Sequence, residues 1–267
     1  VAARFEHDSA RPVDGYAGPQ LHTHVVVFNV TRTAEGETRP LQPRELYKSQ
    51  QYATAVYRAA LASRLTALGY AIDRGASGQP EIRGYTPEYL EASSPRRQQI
   101  QEQMAKGPHR GAEAAEIVAH QTRGAKVLHA PEEMQRRHQA VAHAFGDQPT
   151  HVVRAAHARE SHHESEAPRI SAHAAVTFAK ERNLEREAVV DERVLLRDAL
   201  TRSMGEQPVE AVTAAFEQRV AAGEFIGVAQ RPGAPGRAFT TPEMIALERE
   251  TIAVMRAGQQ TLAPVSA

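Results

Sequence analysis

Hydrophobic and polar positions follow two different periods along this chain. Residues 22–30 run from His22-Thr23-His24 into Val25-Val26-Val27-Phe28-Asn29-Val30. β-Branched side chains in a short run after the turn-forming residues 14–19 predict a buried strand. Ala34-Glu35-Gly36-Glu37 then reads as a hairpin or loop. From Pro43 the apolar positions Leu46, Tyr47, Ala53, Val56, Tyr57, Ala60, Leu61, Leu65 and Leu68 recur at helical spacing up to Gly69. They predict one long amphipathic helix with a glycine stop. Tyr47, Tyr52 and Tyr57 fall on that helix, where aromatic residues at helical spacing are expected in a core rather than against nucleic-acid bases. Residues 70–72 and 81–82 flank a turn at 75–80 and predict a short hairpin. Ser93-Ser94-Pro95 starts the next helix, with Arg96 and Arg97 at its exposed beginning.

Between residues 106 and 171 the pattern weakens, and Ala, Gln, His and Arg outnumber large apolar residues. Short helices followed by a solvated connection over residues 157–168 are expected, with a domain boundary at 165. His157, His162 and His163 fall in that connection and lack a carboxylate at ligand spacing. Regular patterning then returns. Residues 172–183, 191–204 and 209–223 predict helices, residues 224–229 and 237–240 a pair of strands around a Pro/Gly turn. Thr241-Pro242-Glu243 supplies an N-cap, a first-position proline and a first-turn acid for a last helix to about Met255. Helices followed by a two-stranded wing give a winged-helix-like module over residues 166–267.

Composition narrows the chemistry. Lys plus Arg and Asp plus Glu stand at 32 each among 267 residues, so net charge points neither toward nor away from nucleic acid. The absence of cysteine removes disulfides, thiolate catalysis and Cys-based zinc sites. Any metal must rest on histidine and carboxylate. No apolar run reaches the roughly 18 residues of a membrane span and no signal peptide is evident, so a cytoplasmic location is the expectation.

His22 and His24 lie two apart on the predicted strand and therefore point to one face. A pair of imidazoles suits manganese, zinc, nickel or a similar ion, and His7 on a preceding strand or loop can complete a three-histidine site with open positions. The string Pro19-Gln20-Leu21-His22-Thr23-His24-Val25-Val26-Val27-Phe28-Asn29, preceded by Phe5-Glu6-His7-Asp8-Ser9-Ala10-Arg11, resembles the signature of MobF conjugative relaxases of the TrwC/TraI type. The likeness continues through Tyr47, Gln50, Tyr57-Arg58-Ala59, Leu68-Gly69-Tyr70, Glu81-Ile82 with Gly84, and Ser94-Pro95-Arg96-Arg97.

The resemblance implies an α+β fold: part of a histidine-hydrophobic-histidine nuclease domain with an antiparallel sheet over residues 1–165, then the mostly helical module that opens a helicase region. It implies that His7, His22 and His24 hold a divalent ion, with Mg, Mn, Zn and Ni not distinguished, against a scissile DNA phosphate. A tyrosine would attack that phosphate. The family's nucleophilic tyrosines precede its first strands, and the first residue here is Val1, so the nucleophile is expected upstream of this chain. Tyr16 lies in residues 13–17, which look like an insertion, and does not match the nucleophile's place. Arg96, Arg97, Arg123 and Lys126 are candidate DNA-phosphate contacts, with a solvated helix face as the plain alternative.

The implied partners are single-stranded plasmid DNA with an origin hairpin, relaxosome accessory proteins and the conjugative coupling protein. ATP belongs only to a downstream motor, since no Gly-x-x-x-x-Gly-Lys-Ser/Thr occurs here. Two other readings stay open. One is an inactive accessory protein that binds single-stranded DNA; the other is a cupin-type metal enzyme, for which Glu35 and Glu37 fall past the strand's end.

Overall fold

A computed structural model of the chain describes residues 2–107, 110–124, 130–162, 169–229 and 236–259. The elements begin with β1 (Ala2–Ser9), β2 (Pro19–Val27), β3 (Thr31–Arg32), β4 (Thr38–Arg39), α1 (Arg44–Ala67), β5 (Ile72–Arg74) and β6 (Pro80–Ile82). Five helices follow: α2 (Pro87–Ala92), α3 (Pro95–Lys106), α4 (Ala112–Gln121), α5 (Pro131–Ala144) and α6 (Gln148–His162). The rest is α7 (Ala172–Leu184), β7 (Val190–Asp191), α8 (Glu192–Arg202), α9 (Val209–Ala221), β8 (Ile226–Val228), β9 (Ala238–Thr240) and α10 (Pro242–Gly258). Helices with small antiparallel sheets make this an α+β chain, as expected.

Two compact units share the chain. The first comprises Val1–Leu41 and Arg83–Ala158, the second Gln42–Ile82 and Arg159–Ala267. In the first unit, Ala17, Tyr89, Ala114, Met134, Val152 and Ala156 are buried, a core of mainly small side chains. Tyr89 stacks on Tyr85 at 5.6 Å and meets Phe145 edge-on at 6.0 Å. The strand expected to be buried is exposed: Val25, Val26 and Val27 stay 61%, 49% and 49% accessible. β-Branched residues favour the extended backbone, but β2 pairs only with β1, and neither face of that hairpin is covered among the described residues.

The second unit holds the larger core. Ala55 and Ala59 of α1 pack with Val176, Leu195, Leu200, Val212 and Phe216. Phe216, Phe225 and Phe239 form an aromatic cluster with centroids 5.1–6.2 Å apart. Tyr52 sits at the edge of this core, whereas Tyr47 and Tyr57 are 75% and 63% exposed. The expectation of core tyrosines therefore fails for two of the three. Alanines at i, i+4 and i+7 (residues 55, 59, 62) take the inward face, and residues 47 and 57 point away from it.

Other boundaries agree with the pattern. Gly69 ends the long helix with φ 81°. The Thr241 hydroxyl accepts from the Met244 amide at 3.3 Å to cap α10. Residues 157–162 are the last turns of α6 rather than a solvated connection, because the helix that begins at Gln148 does not break there. Residues 163–168 of that stretch, with His163, lie outside the described residues. β7 was not foreseen. It is two residues long, and it pairs Val190 with Phe239 to complete a three-stranded sheet of order β7-β9-β8. No helix among the described residues is long and apolar enough to cross a membrane.

Candidate functional site

The β1–β2 register sets Phe5 opposite His24 and His7 opposite His22. Alternation of side chains across a strand then brings His7, His22 and His24 to one face. The His7 and His22 rings lie 5.3 Å apart and nearly parallel, at 21°. His24 meets His7 and His22 edge-on, each at 5.0 Å. A ring nitrogen bonds an ion at about 2.1 Å and its centroid lies about 1.2 Å behind, so three imidazoles on a tetrahedral ion have centroids about 5.4 Å apart. The observed spacing falls within about 0.4 Å of that requirement.

Orientation falls short of it. Imidazole lone pairs lie in the ring plane, so two near-parallel rings do not aim at one point. Among the described residues, no group of three or more histidine or carboxylate side chains is already arranged to hold an ion. His7 and His24 are exposed, so a ring can tilt without displacing a neighbour. His22 is the fixed member. Its Nδ1–H donates to the Gln20 carbonyl at 2.9 Å, an acceptor-only partner, which leaves the Nε2 lone pair available.

The connection between the strands is well anchored. After a register shift between His7 and Ser9, the Ala10 amide donates to the Gly18 carbonyl at 2.9 Å. Val13 and Tyr16 exchange backbone bonds around Asp14 (φ 49°) and Gly15 (φ 77°), the two-residue turn that an Asp-Gly pair favours. Arg137 Nη1 of α5 donates to the Gly15 carbonyl, and His138 Nε2 bonds the Ala17 carbonyl, both at 2.8 Å. The Tyr16 ring stands edge-on to His138 at 5.7 Å. Burial, and then the neighbouring Tyr89, push the Tyr16 phenol above its usual pKa, which disfavours the phenolate a nucleophile needs. Beyond the turn, Gly18 passes so near α2 that a Cβ there would stand 2.3 Å from the Ser93 carbonyl oxygen.

The four basic candidates separate. Arg96 is half-buried and closes the end of α4: its Nη1 donates to the carbonyl and hydroxyl of Thr122, each at 3.0 Å, and its Nη2 to the Ala119 carbonyl at 2.6 Å. Burial, followed by the charges of Arg11 and Arg123, holds its pKa below the ordinary arginine value. Arg97 and Arg123 are exposed, and Lys126 lies outside the described residues. Arg11, not singled out from the sequence, lies beside Arg96 and Arg123. Its signal was its place four residues after His7.

Residues 1–145, more than half of the chain, match the TrwC relaxase family. The chain belongs to that family. The match bears out the MobF resemblance carried by the histidine strings. The multifunctional conjugation protein TraI of Escherichia coli is 35% identical over 136 residues, which is 47% of this chain and 7% of TraI. Among solved structures, the conjugative relaxase TrwC in complex with oriT DNA is similar at 31% identity in its metal-free form, covering 54% of this chain and 51% of that one with a TM-score of 0.49. A metal-bound structure of the same TrwC–DNA complex gives 31% identity, 54% and 50% coverage and a TM-score of 0.49. The chain thus spans about half of these TrwC relaxase chains and a small part of TraI.

Proposed function

We propose that this chain carries the metal site of a conjugative relaxase, which nicks one strand of plasmid DNA by tyrosine transesterification. The convergence of the His7, His22 and His24 rings at 5.0–5.3 Å on one face of β1–β2, in a member of this family, carries the reading. A divalent ion bound there would act as a Lewis acid on the scissile phosphoryl group. The protein's share is to present three imidazoles on two paired strands, with His22 oriented by the Gln20 carbonyl and the hairpin's turn held on α5. Tyr16 is not read as the nucleophile, because its ring is committed to packing against His138.

In this reading residues 1–165 belong to the relaxase domain and 166–267 open the helicase region. The order α7-β7-α8-α9-β8-β9, with its three-stranded sheet, supports a winged-helix-like module there. The DNA is single-stranded with an origin hairpin, relaxosome and coupling proteins are the further partners, and the setting is the bacterial cytoplasm. Calorimetric titration with manganese and zinc tests the site, comparing the chain with a His22→Ala/His24→Ala double variant once circular dichroism shows both folded. One-to-one binding lost in the variant is expected. No binding by the folded wild type would overturn the metal site and put an inactive single-stranded-DNA-binding protein ahead.

A further inference from the structure

Arg11, Arg96 and Arg123 line a pocket of 210 Å³ together with Glu116, Ala119 and His120. Several arginines elsewhere in this chain are matched by carboxylates, Arg193 by Asp191 and Glu45, Arg219 by Glu224, Arg237 by Glu192 and Glu217, while Arg58 and Arg159 rest on the carbonyls of Ser77 and Gly69. The pocket differs from the carboxylate-matched arginines. Among the described residues none of its three guanidiniums is ion-paired, and Glu116 is the one acid in its wall. Arg96 is fixed in place by Thr122 and Ala119, and most of its donors are already used. Arg11 donates one of its five N–H groups, to the Gly124 carbonyl at 2.9 Å. The Arg123 guanidinium has no hydrogen-bond partner among the described residues. Like charges gathered around a concavity repel one another unless an anion joins them, and guanidinium forks match phosphate oxygens two at a time.

We infer that this pocket is a clamp for one backbone phosphate of single-stranded DNA, with Arg11 and Arg123 as its donors and Arg96 as the fixed positive wall. The inference rests on the proposed relaxase reading and adds a strand contact to it. Arg11 follows His7 by four residues, so its Cα lies within about 14 Å of the Cα of His7. The clamp therefore grips the same strand close to the phosphate presented to the histidines and fixes its register. Glu116 keeps the pocket from being a general anion trap, since it opposes any anion that the paired forks do not hold.

The test is binding of fluorescein-labelled oligo-dT of fifteen nucleotides, by anisotropy, from low to moderate salt. The proteins are the wild type, Arg123→Gln, Arg11→Gln/Arg123→Gln and Lys106→Gln, the last removing a charge from the far end of α3, about 15 Å from Arg96. Arg96 is left intact because it holds α4, and thermal melts confirm that each variant is folded. Loss of one phosphate contact lowers the slope of log K against log salt by about 0.7 for a single strand. The Arg11/Arg123 variant is expected to show that drop and a several-fold weaker complex, with Lys106→Gln unchanged. A wild-type slope in the double variant, an equal drop in Lys106→Gln, or no salt-dependent binding by the wild type would each overturn the clamp. Inorganic phosphate titrated alone separates the sources: binding below millimolar that disappears in Arg123→Gln would assign the pocket to a free anion and overturn the strand clamp. Metal titration of the same variants keeps the two readings apart, since the clamp can fail while the histidines still bind an ion.

Discussion

Replacing Gly18 by alanine tests whether the start of the histidine strand is held against the helices of its unit. The added Cβ would stand 2.3 Å from the Ser93 carbonyl oxygen and 3.5 Å from Pro95 Cδ. An ordinary carbon–oxygen contact needs roughly 1 Å more, and the obstructing atom is backbone at the end of α2, which cannot swing aside as a side chain does. Overpacking of this kind costs about 1–3 kcal/mol, and the rigid partner places Gly18→Ala at the upper end, about 2–3 kcal/mol. For a unit of this size about 4 °C accompanies each kcal/mol, so the melting midpoint should fall by roughly 10 °C. Gly124→Ala is the control: nothing lies within 4 Å of a Cβ there, and it should melt within about 2 °C of the wild type, within the half kcal/mol usual for such surface changes. Thermal unfolding by circular dichroism reads both. A Gly18→Ala melt that coincides with Gly124→Ala would show that the strand entry is not seated against Ser93.

Two further outcomes concern the second unit. Phe216 is fully buried between Phe225 and Phe239, so Phe216→Ala should cost about 3–5 kcal/mol in urea unfolding; a loss under about 1 kcal/mol would contradict the aromatic core. Glu224 is held at about 2 by its hydrogen bonds to Arg219 and Lys180, against an ordinary 4.5. Its folded pKa is depressed, so its contribution is complete above pH 4.5 and is lost as pH falls through 2. After allowance for its partial exposure, wild type should lose about 2 kcal/mol more than Glu224→Gln over that window, and parallel stability profiles would refute the pairing.

The sequence revealed elements better than burial. Helical spacing located α1 and its stop at Gly69 because periodicity and a left-handed glycine are local properties. The same local reading put Tyr47 and Tyr57 in a core and buried β2, since β-branched or aromatic character signals a preference for partners without showing that they are present. The placement of His22 and His24 on one strand face was legible from their spacing of two. Their alignment with His7 depends on strand register, and the pattern carries no register. The arginine pocket was half legible. Arg96 looked like an exposed phosphate contact, whereas it closes α4; Arg11 drew no notice because its neighbours lie more than eighty residues away.

Helix α1 has one more consequence, which concerns the order of synthesis. Its inward alanines find their partners on α7, α8 and α9, yet Ala67 and Ala172 are separated by more than a hundred residues that include most of the first unit. At about 5–20 residues per second, α1 would leave the ribosome roughly 5–20 s before the first of those helices. A 24-residue amphipathic helix is then without its core while the rest of the histidine hairpin's unit is being synthesised. Nascent chains should therefore show α1 unprotected until residues beyond 200 have emerged, and this interval is where a chaperone has the most apolar surface to cover.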